Sequence, residues 1–233
     1  MTKSRTVNQG ATQETAADLA KESQARAIVY NFLSSLFAKE VTSDLVMQLS
    51  SEQGQSFLAS LALEPSLSAS ISEINTKLAS LNSEQAVLEL AADFCGLFLV
   101  DGRTSVSPYA GQYFSSKTND AVSNQPSSRK KKDRVELFGE LHQRMISFLT
   151  DNKLQIHNDF PEPGDHIAII LAYIGHLCNT AGRKEQLDFI EHYLMTWLGD
   201  FVSQVNKHDN GSFYNAVAEL TLQWLKFDII NLK

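Results

Sequence analysis

The 233-residue sequence predicts an all-α protein of two helical lobes joined by a proline-containing hinge. Three observations carry that expectation. Apolar residues recur at i, i+3 and i+4 through most of the chain, which is the spacing of a buried helical face, while the alternate-residue pattern of strands is scarce. All five prolines fall between these stretches, as punctuation. No segment repeats at a fixed period, which excludes a solenoid.

Residues 1–24 are polar and small and read as a flexible N-terminus ahead of a helix containing Ala25. Residues 25–152 then form the first lobe. Ile28, Phe32 and Leu36 make one i, i+4, i+8 row and Val29, Leu33 and Phe37 the next, so the first helix has a wide apolar face. Ser43 and Asp44 can cap a second helix through Leu45, Val46 and Leu49, and a third covers about 55–63 until Pro65 ends it. Apolar spacing continues at Leu67, Ile71, Ile74, Leu78 and Leu81. Asn82 followed by Gln85 resembles a capping box opening 87–100, a segment apolar almost all round and therefore expected as a buried central helix. Residues 104–112, with Pro108 and Gly111, read as an irregular connection, and Tyr113 and Phe114 as the start of a short element. The polar stretch 115–133 is longer than structureless loops usually are in a compact domain. Val135, Phe138, Leu141, Met145, Phe148 and Leu149 restore helical spacing.

Residues 153–164, with Pro161 and Pro163, are the expected hinge, and 165–233 the second lobe. That lobe reads as three helices, 165–180 ended by Gly182, about 184–206, and about 213–231. A residue before proline is biased away from the α region, so Phe160 and Glu162 favour an extended hinge. Such a hinge gives the lobes two ways to meet, and a homodimer formed by lobe exchange through 157–164 is expected.

Composition narrows the functional classes. Twenty-seven acidic against twenty basic residues give a net charge of −7, which disfavours nucleic acid and anionic membranes and favours a cationic partner. Cys95 and Cys178 both lie in apolar segments, where free thiols act as small core hydrophobes, so a reducing compartment fits. Neither a signal-peptide apolar region nor a run of roughly 18 to 20 apolar residues is present, and a cytoplasmic location without membrane insertion is expected. No phosphate loop, dinucleotide fingerprint, HExxH, CxxC pair or GxSxG elbow occurs. The basic run Arg129-Lys130-Lys131-Lys132 sits in a Ser-rich stretch without aromatic interleaving and reads as a solvated loop.

The most informative segment is Glu162-Pro163-Gly164-Asp165-His166, a stiffened turn with an acid and an imidazole directly before the apolar run 167–173. Asp is a preferred N-cap and is favoured beside the positive end of the helix dipole, so capping accounts for Asp165. The same positive end opposes protonation of His166, for which structure offers no comparable role. Glu89 and Asp93 form an i, i+4 carboxylate pair within 87–100. They either face an internal arginine or basic ligand, or sit on an exposed edge or in a pair such as one with Arg103.

Laid out in this order, the chain resembles the TorD branch of the TorD/DmsD/NarJ family of redox-enzyme maturation chaperones over about residues 25–230. Tyr30-Asn31-Phe32-Leu33-Ser34-Ser35-Leu36-Phe37 carries the resemblance, as do Asp93-Phe94-Cys95-Gly96-Leu97-Phe98 with Ser105-Val106-Ser107-Pro108-Tyr109. The EPxDH signature at 162–166 is its most specific part. The resemblance implies a TorD-like fold and a cytoplasmic, non-enzymatic chaperone for a molybdoenzyme of the trimethylamine N-oxide reductase kind. Such a chaperone binds the enzyme's twin-arginine signal peptide and the apo-enzyme, and assists molybdenum cofactor insertion before export. It implies binding roles for Glu162, Pro163, Asp165 and His166, with Tyr30, Phe37, Asp93 and Phe98 as groove residues. No stably bound cofactor is expected; weak guanine nucleotide binding is implied by the resemblance, without a phosphate loop to support it. The polar insert 115–133 and the extended N-terminus depart from the family pattern. Two other readings compete. One is a helical regulatory adaptor that shares the architecture, the other a hydrolase in which Asp165 orients His166 as general base.

Overall fold

The computed structural model describes residues 16–100, 102–113, 139–209 and 213–233, and every regular element among them is helical. The expectations for residues 1–15, for the polar insert and for the basic run at 129–132 fall outside the described residues. Helix α1 is Ala16–Ala38, followed by α2 Ser43–Ser50, α3 Glu52–Ala62, α4 Pro65–Ser80 and α5 Glu84–Phe94. After the 102–113 connection come α6 Glu140–Asp151, α7 Ile167–Thr180, α8 Arg183–Tyr193, α9 Met195–His208 and α10 Phe213–Leu232.

Short polar side chains set the starts of α2, α3 and α5. Thr42 accepts from the Leu45 N–H at 3.3 Å, Ser51 from Gly54 at 3.1 Å and Ser83 from Ala86 at 3.2 Å, each satisfying a donor the helix leaves orphaned. The caps therefore lie one residue before Ser43 and one after Asn82, where the sequence suggested them. Pro65 opens α4 at its first turn, with Glu64 as the cap, because a first-turn N–H needs no intrahelical partner. The first helix begins at Ala16 rather than near Ala25, so residues 16–24, expected to be flexible, are helical.

Two other helices differ from expectation. The segment 87–100 is not buried all round: Leu88 is 57% and Leu99 59% exposed. Its end also widens into a π-helical turn, Cys95–Leu99. That turn places Leu97 and Phe98 in the core and turns Leu99 and Val100 out. The expected helix 184–206 is interrupted at Leu194 (φ −123°, ψ −50°), giving α8 and α9. No proline or glycine marks the break; the Trp197 indole N–H donates to the Tyr193 carbonyl at 2.8 Å and satisfies an acceptor there.

Helices from both sides of 153–164 share one continuous core. Helix α1 lies along α7 and α4 lies against α10. The α1–α7 approach is close enough that a Cβ on Gly175 would stand 2.9 Å from Asn31 Oδ1 and 3.4 Å from the Ala27 carbonyl oxygen. The Ser34 hydroxyl donates to the Ala168 carbonyl across the same contact at 2.7 Å. A buried ionic cluster ties α1 to α10, with Arg26 Nε and Nη2 donating to Asp228 at 2.5 and 2.9 Å and the Tyr30 hydroxyl to Asp228 at 2.6 Å. Among the described residues, no helix is long and apolar enough to cross a membrane.

Candidate functional site

The EPxDH segment lies at the N-terminus of α7, clamped between the 102–113 connection and α6. Its two most conspicuous residues face inward, Asp165 being 7% and His166 4% exposed. Their roles are the reverse of the sequence-based assignment. His166 is the N-cap: its Nδ1 accepts from the Ala168 N–H at 3.1 Å. The imidazole is flanked edge-to-face by Tyr109 and Phe160, each with ring centroids 5.2 Å away. Burial lowers its pKa from the ordinary 6.5 to about 4, so the ring is neutral with its proton on Nε2. The helix start that opposes protonation thus supplies the role the sequence did not reveal, since a neutral ring nitrogen can accept where a side-chain oxygen usually does.

Asp165, expected as the cap, instead fastens the connection. Its Oδ2 accepts from the Gly111 N–H at 3.0 Å, and its backbone carbonyl accepts from the Ala110 N–H at 3.0 Å. The Ile167 N–H reaches the Pro108 carbonyl at 2.9 Å, and Tyr109 and His166 form an antiparallel bridge. On the other side the Gly164 N–H donates to His142 Nδ1 of α6 at 2.7 Å. The approach at Gly164 is tight: a Cβ there would lie 3.2 Å from Met145 Cβ and 3.3 Å from the His142 carbonyl, so α6 would have to give by a few tenths of an ångström. The motif is therefore a junction that welds three chain segments. With Nδ1 occupied and the ring buried, His166 is not placed as the general base of a hydrolase, and that alternative is withdrawn.

Glu162 is the motif residue that faces outward. It is half-buried, and the Tyr109 hydroxyl donates to its Oε2 at 2.5 Å. Burial, and then the Glu162 carboxylate, raise the Tyr109 phenol and keep it protonated as a donor. No hydrogen bond to Oε1 occurs among the described residues. Pro163 is buried beneath this carboxylate-bearing turn.

Beside the turn runs an apolar groove of about 280 Å³ between α1, α7 and residues 149–160. Phe160, Ile169, Ala172 and Tyr173 line it, with Ser34 and His176 at its polar points. Its size is at the low end of the roughly 300–1,000 Å³ typical of small-molecule pockets, enough for one or two bulky side chains. A second groove of about 350 Å³ lies between α1, α3 and α10, lined by Ile28, Phe57, Trp224 and Phe227 beside the Arg26–Asp228 pair. On α1 the residues of the two grooves lie on opposite faces, because Ser34 and Ala38 are about half a turn from Ala25 and Val29 at 3.6 residues per turn.

The remaining candidates do not join the motif. The Tyr30 hydroxyl is consumed by Asp228 and the residue is fully buried. Phe37 and Phe98 pack on one another and on Phe201 in the core, with centroid separations of 6.0, 5.6 and 6.2 Å. Asp93 is on the exposed side of α5; partial burial, then Asp209, raise its pKa, with Lys77 opposing and Glu89 adding. Glu89 accepts from Gln85, one helical turn earlier, so this carboxylate pair is on the exposed edge. Sequence reading missed Tyr109 and His142 as partners of the motif; the Ser107-Pro108-Tyr109 segment was the available signal for the first, and nothing local marked the second. No cluster of three or more His, Cys, Asp or Glu suited to a metal occurs among the described residues.

The helical junction is thus bordered by an apolar groove and an outward carboxylate. The family described as nitrate reductase delta subunit matches residues 61–203. Among curated proteins, a chaperone protein TorD of Colwellia psychrerythraea is 69% identical over 224 residues, 93% of this chain and 95% of its own. Proteins of the same name from Shewanella pealeana and Shewanella piezotolerans are 46% and 47% identical, each across 88% of this chain and 88% and 91% of their own. The chain belongs to the TorD chaperone family.

Proposed function

We propose that this chain is a cytoplasmic maturation chaperone for a molybdoenzyme of the trimethylamine N-oxide reductase kind. It binds the enzyme's twin-arginine signal peptide together with the apo-enzyme, and assists molybdenum cofactor insertion before export. The observation that carries the reading is the pairing of an outward carboxylate, Glu162, with an apolar groove that begins at Phe160, two residues away. Two residues span at most about 7 Å between Cα atoms, so both features can be reached by consecutive residues of one bound peptide. A twin-arginine leader presents that chemistry, a cationic pair beside a short apolar run. Net charge of −7 favours the encounter. In this reading Asp165 and His166 hold the site together rather than touching the peptide, and no cofactor is held stably.

Calorimetric titration with a synthetic twin-arginine leader tests it. Binding in the micromolar range or tighter is expected, weakened when the two arginines become glutamines. Equal binding of the altered leader would overturn the proposed recognition. Titrating a guanine nucleotide into the same protein tests the weak nucleotide binding that the family resemblance implies.

A further inference from the structure

We propose that Tyr109 is a positioning residue for peptide recognition, holding Glu162 so that the carboxylate oxygen left without a partner among the described residues, Oε1, selects arginine over lysine. The inference rests on the peptide-binding function proposed above. Glu162 follows Pro161 in a turn whose backbone is fixed on both sides, by the Glu162 N–H donating to the Phe160 carbonyl at 2.8 Å and by the buried Pro163. The side chain alone would remain free to rotate. The Tyr109 hydroxyl removes that freedom by donating to Oε2 at 2.5 Å. Tyr109 is itself immobilised: its ring packs on His166, and the residue is bridged to 166 through the backbone. A chain of contacts therefore runs from groove to carboxylate, Phe160 to His166 to Tyr109 to Glu162.

A fixed carboxylate and a mobile one discriminate differently. The planar guanidinium fork gains most when its acceptor is already oriented, whereas an ammonium behaves as a point charge that follows a moving partner. Anchoring Oε2 to Tyr109 leaves Oε1 and the remaining Oε2 lone pair as an oriented edge for one fork.

The test is a double-mutant cycle of Tyr109→Phe and Glu162→Gln, titrated with three leaders that carry Arg-Arg, Lys-Lys or Gln-Gln before the same apolar run. Tyr109→Phe keeps the ring against His166, so the melting temperature should fall by no more than about 4 °C. Affinity for the Arg-Arg leader should drop about tenfold, the scale of one charge-assisted hydrogen bond, while the Lys-Lys and Gln-Gln leaders change by less than about twofold. In the Glu162→Gln background, Tyr109→Phe should have no further effect. An Arg-Arg affinity unchanged by Tyr109→Phe, or an equal loss for all three leaders, would overturn the assignment while leaving peptide binding intact. A wild-type protein that binds none of the leaders refutes the proposed function, and the assignment falls with it.

Discussion

Replacing His166 by asparagine should make the stability of this protein less sensitive to acid, by an amount that the burial of the imidazole sets. Asparagine is a good N-cap, so the acceptor for the Ala168 N–H is retained and the titrating group is removed. Folding lowers the His166 pKa from 6.5 to about 4, through burial among Tyr109, Phe160 and the start of α7. Because the folded value is the lower one, the unfolded chain takes up the proton first. The contribution is complete above about pH 6.5 and is lost as pH falls toward 4. With those two values, the loss relative to neutral pH is about 1 kcal/mol at pH 5.5 and about 2 to 3 kcal/mol at pH 4.5. At neutral pH the variant should be less stable by about 1 to 3 kcal/mol, because asparagine leaves space between two aromatic rings. The wild-type advantage should then shrink or vanish at pH 4.5. Urea unfolding of both proteins at the three pH values measures it, and subtracting one series from the other cancels the common titrating groups. A difference that stays constant within about 0.5 kcal/mol between pH 7.5 and 4.5 would show that the imidazole is not buried as a neutral cap.

Other consequences are open to direct measurement. Asp165→Ala removes the acceptor for Gly111 and should cost about 1 to 3 kcal/mol in thermal unfolding. Client maturation should fall further than the folded fraction does, because residues 108–111 lose their side-chain tie at Gly111 and keep only the backbone ones; a loss only in proportion to unfolding would make the residue purely structural. Arg26→Met leaves the Asp228 carboxylate buried with Tyr30 as its remaining side-chain partner among the described residues and should cost about 3 to 5 kcal/mol in urea, a figure refuted by a loss below about 1. A dimer formed by exchanging residues 165–233 must separate α1 from α7 and α4 from α10. Monomer and dimer isolated by gel filtration should therefore re-equilibrate slowly, and rapid exchange on dilution would point to a surface contact instead.

Helices such as α4 were legible in the sequence because they bury one face, and the 3.6-residue spacing of Leu67, Ile71, Ile74 and Leu78 records that burial directly. Their exact ends were less so. Choosing Thr42 over Ser43, or Ser83 over Asn82, depends on backbone angles that neighbouring capping residues could equally adopt. The break at Leu194 carries no local signal at all, since it is stabilised by the Trp197 side chain rather than by a breaker residue.

The motif divides in the same way. Sequence alone determined the all-helical class and the acidic balance and singled out Glu162-Pro163-Gly164-Asp165-His166, because these reside in composition, spacing and a contiguous signature. Which of its residues faces outward was decided only by tertiary structure. Asp165 reaches Gly111 across 54 positions and Glu162 meets Tyr109 across 53. The partner of each side chain, and hence whether it is buried or available, is fixed by chain segments that no local pattern connects. His166 accepts from Ala168, two residues away. Even that short contact depends on Tyr109 and Phe160 excluding water, which keeps the imidazole neutral and able to accept.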